Sequence, residues 1–100
     1  MNKNTKKLRY MGVYDAIMAT ETREECIQLF EDLLSVTELR AMEQRYQVAK
    51  MLHNGMVYGE ILDQTGASSA TISRVNRSLQ YGTGGYEIVF NRLEKQEKSE

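Results

Sequence analysis

The sequence predicts an all-α fold built from six helices. The chain of 100 residues contains no proline, so no residue disrupts a helix by lacking a backbone N–H and clashing with the preceding turn. Apolar residues recur at spacings of three and four through most of the chain, which is the period of an amphipathic helix. No segment alternates apolar and polar residues as a half-buried strand does. Together with the length, these observations predict a single all-helical domain over residues 1–100.

The first two predicted helices carry broad apolar stripes. The first runs from Arg9 to about Thr20. Its apolar positions are Tyr10, Val13, Tyr14, Ile17 and Met18. Thr20 followed by Glu21–Glu24 is typical of the cap and acidic first turn of a second helix, which continues through Leu34. A compact monomeric bundle or an intertwined dimer would bury these stripes, and we expect the dimer because small domains often need additional burial.

The third predicted helix is the longest. Ser35 or Thr37 caps its N-terminus, and Glu38 lies in its first turn. The pair Asn54-Gly55 ends it, because glycine adopts the left-handed conformation of a C-cap without steric cost. Its apolar positions are Leu39, Met42, Tyr46, Val48, Ala49, Met51 and Leu52.

A short fourth helix and a fifth helix follow, separated by a tight turn. The fourth runs over about 57–65 and stops at Gly66. Ser68 or Ser69 caps the fifth helix, which extends to about Gln80.

The C-terminal part begins with a glycine-rich break over 81–85. A last helix is predicted over about 86–95. We expect the two ends of the chain, about 1–7 and 96–100, to be flexible because they are charged and contribute no apolar stripe.

Charge is unevenly distributed along the chain. The net charge of −1 argues weakly against nucleic-acid binding when it is taken alone. Residues 21–43, however, carry a net charge of −5, whereas residues 1–20 carry +3 and residues 44–80 carry +2. An acidic second quarter therefore conceals two basic segments, and the total charge does not exclude a polyanionic partner.

Several classes of function are disfavoured by composition. No apolar run approaches the roughly 20 residues of a membrane span, so we expect no membrane partner. A single cysteine, Cys26, allows no intrachain disulfide and indicates a reducing compartment, the cytoplasm. A single histidine, His53, leaves no spacing typical of metal ligands. No acid–base pair, activated nucleophile or phosphate-binding loop is present, so the sequence predicts neither an enzyme nor a bound cofactor.

The segment over about 57–80 has the pattern of a helix-turn-helix. A short helix ends at Gly66, apolar Ala67 turns inward, and a serine caps the second helix. We expect Ile72 and Val75 to pack against Ile61 and Leu62 of the first helix, which would fix the angle between the two. The second helix would then project from the domain and enter a major groove of double-stranded DNA.

The outward face of that second helix is small, polar and basic. Alanine and hydroxyl side chains at its leading end allow a close approach to base edges, and arginine can reach a phosphate or a guanine. The predicted DNA-binding residues are Ser68, Ser69, Ala70, Thr71, Ser73, Arg74 and Arg77. Two helices that are merely packed through a glycine turn would not need such a polar face.

The same residues resemble a known family. The resemblance covers roughly 29–93 and rests on Leu33-Leu34-Ser35, Glu38-Leu39-Arg40, Gln44-Arg45, Asn54-Gly55-Met56, Gly66 through Arg74, and Ser78-Leu79. This pattern is similar to that of the Trp repressor family, and the whole chain resembles its YerC/YecD-type members in Gram-positive bacteria. The resemblance implies an all-α, six-helix, intertwined homodimer with two recognition helices placed for successive major grooves.

The resemblance also implies an effector site, and one residue of this chain departs from the family pattern there. It matches Arg45, Arg74 and Ser78 to family positions around a corepressor's ring, carboxylate and amine. Val75 stands where tryptophan-sensing members have glycine, and its methyl groups should intrude on that flat slot. The departure at Val75 therefore implies a repressor that tryptophan does not gate. A small-molecule corepressor of another kind remains open.

Two functions remain as hypotheses. The leading one is a sequence-specific DNA-binding transcriptional regulator. The alternative is a protein-interaction module that reuses the helix-turn-helix fold without binding DNA. The low net charge and Leu62 favour the alternative. The resemblance also implies that Gly59 and Leu62 stand where a tryptophan-sensing repressor has cationic residues that contact DNA, so the first helix of the motif should contribute less to DNA affinity.

Overall fold

The computed structural model describes residues 10–99, and that part of the chain contains six helices and no strands, as the sequence predicts. The helices are α1 (Gly12–Ala19), α2 (Arg23–Leu33), α3 (Val36–His53), α4 (Tyr58–Thr65), α5 (Ser69–Tyr81) and α6 (Gly85–Ser99). The chain divides between Leu39 and Arg40, inside α3, into two compact units. The flexible segment expected over 1–7 lies outside the described residues.

The boundary between α1 and α2 differs from the prediction by two residues. Thr20, expected to cap α2, instead closes α1, because both its hydroxyl and its backbone N–H donate to the carbonyl oxygen of Ile17, at 2.7 and 3.2 Å. Thr22 is the N-cap of α2, and its hydroxyl oxygen accepts the N–H of Glu25 at 3.1 Å. The Glu25 carboxylate in turn accepts the N–H of Glu21 at 2.8 Å. A glutamate three residues after the cap favours Thr22, since it allows reciprocal bonding at the helix start.

The first unit leaves its apolar side chains in water. Neither α1 nor α2 contains a buried residue. Met18 is 83% exposed and Tyr14 is 60% exposed. The other large apolar residues exposed on α1, on α2 and next to α1 are Tyr10, Met11, Val13, Ile27 and Leu33. The broad stripes predicted from the sequence are therefore present and uncovered in the single chain.

Ser35 is the residue that starts α3. Its hydroxyl oxygen accepts the N–H of Glu38 at 3.1 Å, while the Glu38 carboxylate accepts the N–H of Ser35 at 2.8 Å. This reciprocal pair is a capping box, so of the two predicted caps, Ser35 and Thr37, the structure has the first. The pKa of Glu38 is lowered, because its bonds with Ser35 stabilise the ionised carboxylate. The bond with the Ser35 backbone contributes most to this shift, and the bond with the Ser35 side chain comes second.

A left-handed glycine ends α3, as predicted. Gly55 has φ of +85°, and its N–H donates to the carbonyl oxygen of Leu52 at 3.0 Å. The N–H of Met56 donates to the carbonyl oxygen of Met51, also at 3.0 Å. These two bonds form a Schellman motif, which redirects the chain sharply out of the helix towards α4.

The core of the second unit joins α3 to α6. Its seven members are each at most 2% exposed, and they are Val48, Ala49, Ile61, Ala67, Ile72, Val75 and Phe90. Ile61 of α4 and Ile72 of α5 are fully buried, which fixes the two helices of the motif as predicted. Leu62 does not share this role. The sequence predicted that it would pack against α5, but it is 37% exposed, because the side of α4 that faces the core presents Ile61 instead.

The last helix is longer than predicted. α6 begins at Gly85 and continues to Ser99, four residues beyond the expected end at Lys95. Neither glycine nor proline follows Lys95 within α6, so no residue there ends the helix. His53 attaches α3 to α6, since its Nε2 lies 2.9 Å from Oε1 of Glu94 and its ring centroid lies 4.9 Å from that of Phe90.

The capping box at the start of α3 gives a pH-dependent prediction. Because its pKa is lower in the folded chain, Glu38 stabilises the fold above the ordinary glutamate pKa of about 4.3. This contribution is lost as the pH falls through the lowered value. Ser35→Ala should raise the Glu38 pKa towards its ordinary value and shrink the loss of stability on acidification.

A carboxyl NMR titration of Glu38 and unfolding midpoints on both sides of its pKa would measure the effect. Thr37→Ala is the matched control, because this neighbouring hydroxyl plays no part in the capping box. Equal titration curves for Glu38 in the native chain and in Ser35→Ala would show that the cap does not set the pKa.

Candidate nucleic-acid interface

The turn between α4 and α5 is built from local hydrogen bonds. Gly66 has φ of +70°, and its N–H closes α4 by donating to the carbonyl oxygen of Leu62 at 2.9 Å. The Thr65 hydroxyl donates to the carbonyl oxygen of Ile61 at 2.6 Å and accepts the N–H of Ala67 at 3.1 Å. Ala67 itself is buried, as predicted. The turn therefore holds the start of α5 in one position relative to α4.

Ser68 is the N-cap of α5. Its hydroxyl oxygen accepts the N–H of Thr71 at 3.1 Å, and the hydroxyl group donates to Oγ1 of Thr71, also at 3.1 Å. Thr71 is half-buried, whereas Ser68 is exposed. Both predicted DNA-binding residues thus have a structural role at the helix start, and a contact of either with DNA stays a prediction.

The two sides of α5 are chemically distinct. Ile72 and Val75 point into the core. The opposite side is a shallow, open depression along the exposed face of the helix, which we call the α5 groove. Five of the predicted site residues line it, together with two residues that follow them in the sequence. They are Ala70, Ser73, Arg74, Arg77, Ser78, Tyr81 and Gly82. Ser69 is exposed at the leading end of the same helix.

The α5 helix carries a net positive charge. It carries Arg74 and Arg77 and no acidic residue, whereas each of the other five helices contains at least one carboxylate. The partial positive charge of a helix N-terminus adds to this field at Ser69. No acidic residue lines the groove. The surface is therefore suited to an anion. Because the exposed face extends along a helix of 13 residues, it is suited to a long polyanion.

The predicted effector residues are only partly brought together. Arg74 and Ser78 both line the α5 groove. Arg45 is exposed on α3 and is not among the residues that line this groove. Val75 is 2% exposed and packs in the core, on the side of α5 opposite to the groove. The roles of these residues towards a ligand stay predictions.

Sequence reasoning missed two residues of the groove. It assigned Tyr81 and Gly82 to a glycine-rich break, but Tyr81 is the last residue of α5 and is 82% exposed. A Cβ atom on Gly82 would lie 2.3 Å from the carbonyl oxygen of Ser78, so only glycine fits here. The spacing of Tyr81, four residues after Arg77 and eleven after Ala70, would have placed it on the same face.

A second concavity lies where α3 meets the end of α4. The Gln44 side-chain amide donates to the carbonyl oxygen of Thr65 at 3.1 Å, which ties the last residue of α4 to α3. The Gln47 amide donates to the Glu43 carboxylate at 2.6 Å. The concavity is lined by Arg40, Glu43, Gln44, Gln47, Met51, Gln64 and Thr65. The bond from Gln44 holds the end of α4 against α3, whereas the bond between Gln47 and Glu43 lies within α3.

Residues 10–99 offer neither a membrane span nor a metal site. No helix there is both long and apolar enough to cross a membrane. In the same residues, no group of three or more histidine, cysteine, aspartate or glutamate side chains is placed to hold a metal ion.

Comparison with known proteins points to one family. The sequence model of the family described as Trp repressor protein matches residues 9–94. The protein YerC of Bacillus subtilis (strain 168), described as uncharacterized, is 41% identical over 85 residues, which are 85% of this chain and 82% of that protein. The predicted resemblance to the Trp repressor family and its YerC-type members is thereby confirmed.

Solved structures agree with this assignment. A TrpR-like protein of Eubacterium eligens is 43% identical and superposes with a TM-score of 0.86, covering 93% of this chain and 96% of that one. A protein of Staphylococcus aureus with the provisional name Trp repressor is 45% identical, with a TM-score of 0.82 and the same coverage. The predicted all-α, Trp-repressor-like fold is therefore confirmed.

The burial of Val75 gives a prediction about stability. Val75→Gly should lower the free energy of unfolding by about 2–4 kcal/mol, because it removes a buried side chain and adds a flexible residue to a helix interior. Ser73→Gly is the matched control at an exposed position of the same helix, and it should cost less than about 1 kcal/mol. Denaturant unfolding at one fixed protein concentration would measure both, and equal losses would mean that Val75 does not pack in the core.

Proposed function

The chain belongs to the Trp repressor family, and on that premise we propose that it is a homodimeric, sequence-specific DNA-binding transcriptional regulator that acts in the cytoplasm. The family is regulatory and not enzymatic, which agrees with the expectation from the sequence. The observation that carries the proposal is the outward face of α5, which is basic, free of carboxylates and opposite to a buried face. In this proposal residues 1–100 act as one domain.

The dimensions of α5 suit a major groove. A helix of 13 residues is about 20 Å long, and the major groove of B-DNA is about 12 Å wide. Ser69, Ala70 and Ser73 at the leading end are short enough for the backbone to approach base edges. Arg74 and Arg77 lie further along the exposed face, where an arginine can pair with a guanine or a phosphate.

The uncovered apolar residues of the first unit support a homodimer. Exposed side chains such as Tyr14 and Met18 would cost free energy in water, so a second copy of the chain that covers them would be stabilised. A dimer also presents two α5 helices. Two helices related by a twofold axis would read half-sites one helical turn apart, which multiplies the affinity of each for DNA.

We propose that tryptophan does not gate this regulator. Val75 fills the side of α5 that faces the core, and the family resemblance places glycine at this position in tryptophan-sensing members. Arg74 and Ser78 line an open surface, which leaves room for another small anionic corepressor. No corepressor is identified by these residues.

One observation favours the alternative, a protein-interaction module. The exposed side of α4 carries Tyr58 and Leu62, which are 41% and 37% exposed. The only charged residues of α4 are Glu60 and Asp63, so this helix would repel phosphates. In this alternative the chain contacts a partner protein through α4 and does not bind DNA.

Selection of bound duplexes from a random pool, with and without tryptophan and the other amino acids, tests the proposal. Enrichment of one palindromic sequence that is independent of tryptophan would support it. Enrichment of no sequence, together with the absence of salt-dependent binding to any duplex, would contradict it and favour the interaction module.

The oligomeric state gives a separate prediction. The native chain should sediment as a dimer at micromolar concentration, and its unfolding midpoint should rise with concentration because dissociation and unfolding are coupled. Met18→Glu should weaken the dimer, since it places a charge on the exposed apolar stripe of α1. Gln28→Glu adds the same charge at a polar, exposed position of α2 and is the control. A folded monomer at all concentrations would rule out the dimer.

Two substitutions on α5 should separate phosphate contacts from base contacts. Arg77→Ala should weaken binding to every duplex and reduce the dependence of log K on log salt by about one unit per site. Ser73→Ala should relax the preference at one base position and leave the salt dependence unchanged. Gln80→Ala, exposed on α5 but outside the groove, serves as the control. Equal, sequence-independent losses for both variants would remove the base-reading role from Ser73.

A further inference from the structure

The C-terminal end of the α5 groove is formed by a tyrosine whose ring lies largely in water. Tyr81 is 82% exposed, whereas Tyr46 and Tyr86 of the same unit are half-buried and pack near the Phe90 ring. It lines the same groove as Arg74 and Arg77. A ring exposed to this degree does not contribute to the core. Its position beside two arginines favours a contact with the same anionic partner that the arginines would bind.

The spacing along α5 places Tyr81 beyond the reach of the bases. Ala70 and Tyr81 are eleven residues apart, which is about three helical turns, so they lie on one face about 16 Å from each other. The major groove is about 12 Å wide. When α5 enters the major groove by its N-terminus and Ala70 is at the base edges, Tyr81 is at the rim of the groove, where the sugar-phosphate backbone runs.

Gly82 fixes the point at which α5 ends, and therefore the position of the Tyr81 backbone. The N–H of Gly82 closes α5 by donating to the carbonyl oxygen of Ser78 at 2.9 Å, and a Cβ atom at Gly82 would lie 2.3 Å from that oxygen. The helix consequently ends immediately after Tyr81. A tyrosine held on the last turn of a rigid helix keeps a constant distance from the leading end of that helix.

We propose that the phenol hydroxyl of Tyr81 donates a hydrogen bond to a DNA backbone phosphate at the rim of the major groove. This inference rests on the proposed function of α5. Tyrosine is among the uncharged side chains that position proteins on DNA by such bonds. The bond sets the depth and register of α5 in the groove, and Arg77 adds the charge-dependent part of the same attachment.

Tyr81→Phe is the test, because it removes the hydroxyl and keeps the ring. Binding of the selected duplex and of an unrelated duplex is measured at several salt concentrations for the native chain and for each variant. Tyr81→Phe should weaken binding to both duplexes by about 10- to 100-fold, the effect of one hydrogen bond from an uncharged donor to a charged phosphate. The salt dependence should stay at the native value, because the phenol is uncharged. Thr37→Ala, which removes an exposed hydroxyl on α3 outside the α5 groove, should bind as the native chain does.

The outcomes separate this inference from the proposed function. Native affinity of Tyr81→Phe, with weakened binding by Arg77→Ala, would overturn the role of Tyr81 and leave DNA binding by α5 intact. Loss of affinity for the selected duplex alone would overturn the phosphate contact, because a phosphate is common to all sequences. If the native chain binds no duplex, the proposed function and the role of Tyr81 both fail. Thermal unfolding of Tyr81→Phe should match that of the native chain, since the exposed hydroxyl does not hold the fold.

Discussion

The burial of Ile61 and Ile72 in one core is the constraint on which the candidate interface depends. One of these side chains comes from α4 and the other from α5, and both are completely buried. Because they lie on either side of the turn at Gly66, their packing fixes the direction in which α5 leaves the core. Ala67 fills the space inside the turn, and a larger residue at that position would push the helices apart. The exposed face of α5 is therefore a consequence of what its other face buries.

Local hydrogen bonds set the ends of the helices around this core. The capping box of Ser35 and Glu38, the Schellman motif at Gly55 and the cap formed by Ser68 each satisfy backbone groups that a helix end leaves without a partner. Such bonds depend on residues within a few positions of each other. For this reason the sequence predicted most of the helix ends and the placement of the motif. It placed the cap of α2 at Thr20 instead of Thr22, and it ended the last helix at Lys95 instead of Ser99, where no local stop signal guides a prediction.

Some features of the structure were not predicted from the sequence. They depend on contacts between residues far apart in the chain, or on how far a particular side chain is exposed. The pair of His53 and Glu94 joins residues 41 positions apart, and no local pattern indicates it. Leu62 has the right chemistry for the core but lies one residue from the position that faces it. Tyr81 was absorbed into the glycine-rich break, although its helical register relative to Arg77 was available. The basic character of the groove, by contrast, follows directly from residues that the sequence identified.

The contrast in charge between α4 and α5 affects how a DNA-binding protein finds its site. The two helices of the motif carry opposite charge, with Glu60 and Asp63 on α4 and Arg74 and Arg77 on α5. If the chain binds DNA as proposed, a polyanion would attract one helix and repel the other, so an approaching duplex would turn this unit before any contact forms. Encounters in which α5 leads would then be favoured. Since the chain as a whole is nearly neutral, misoriented encounters would gain little electrostatic attraction and would end quickly.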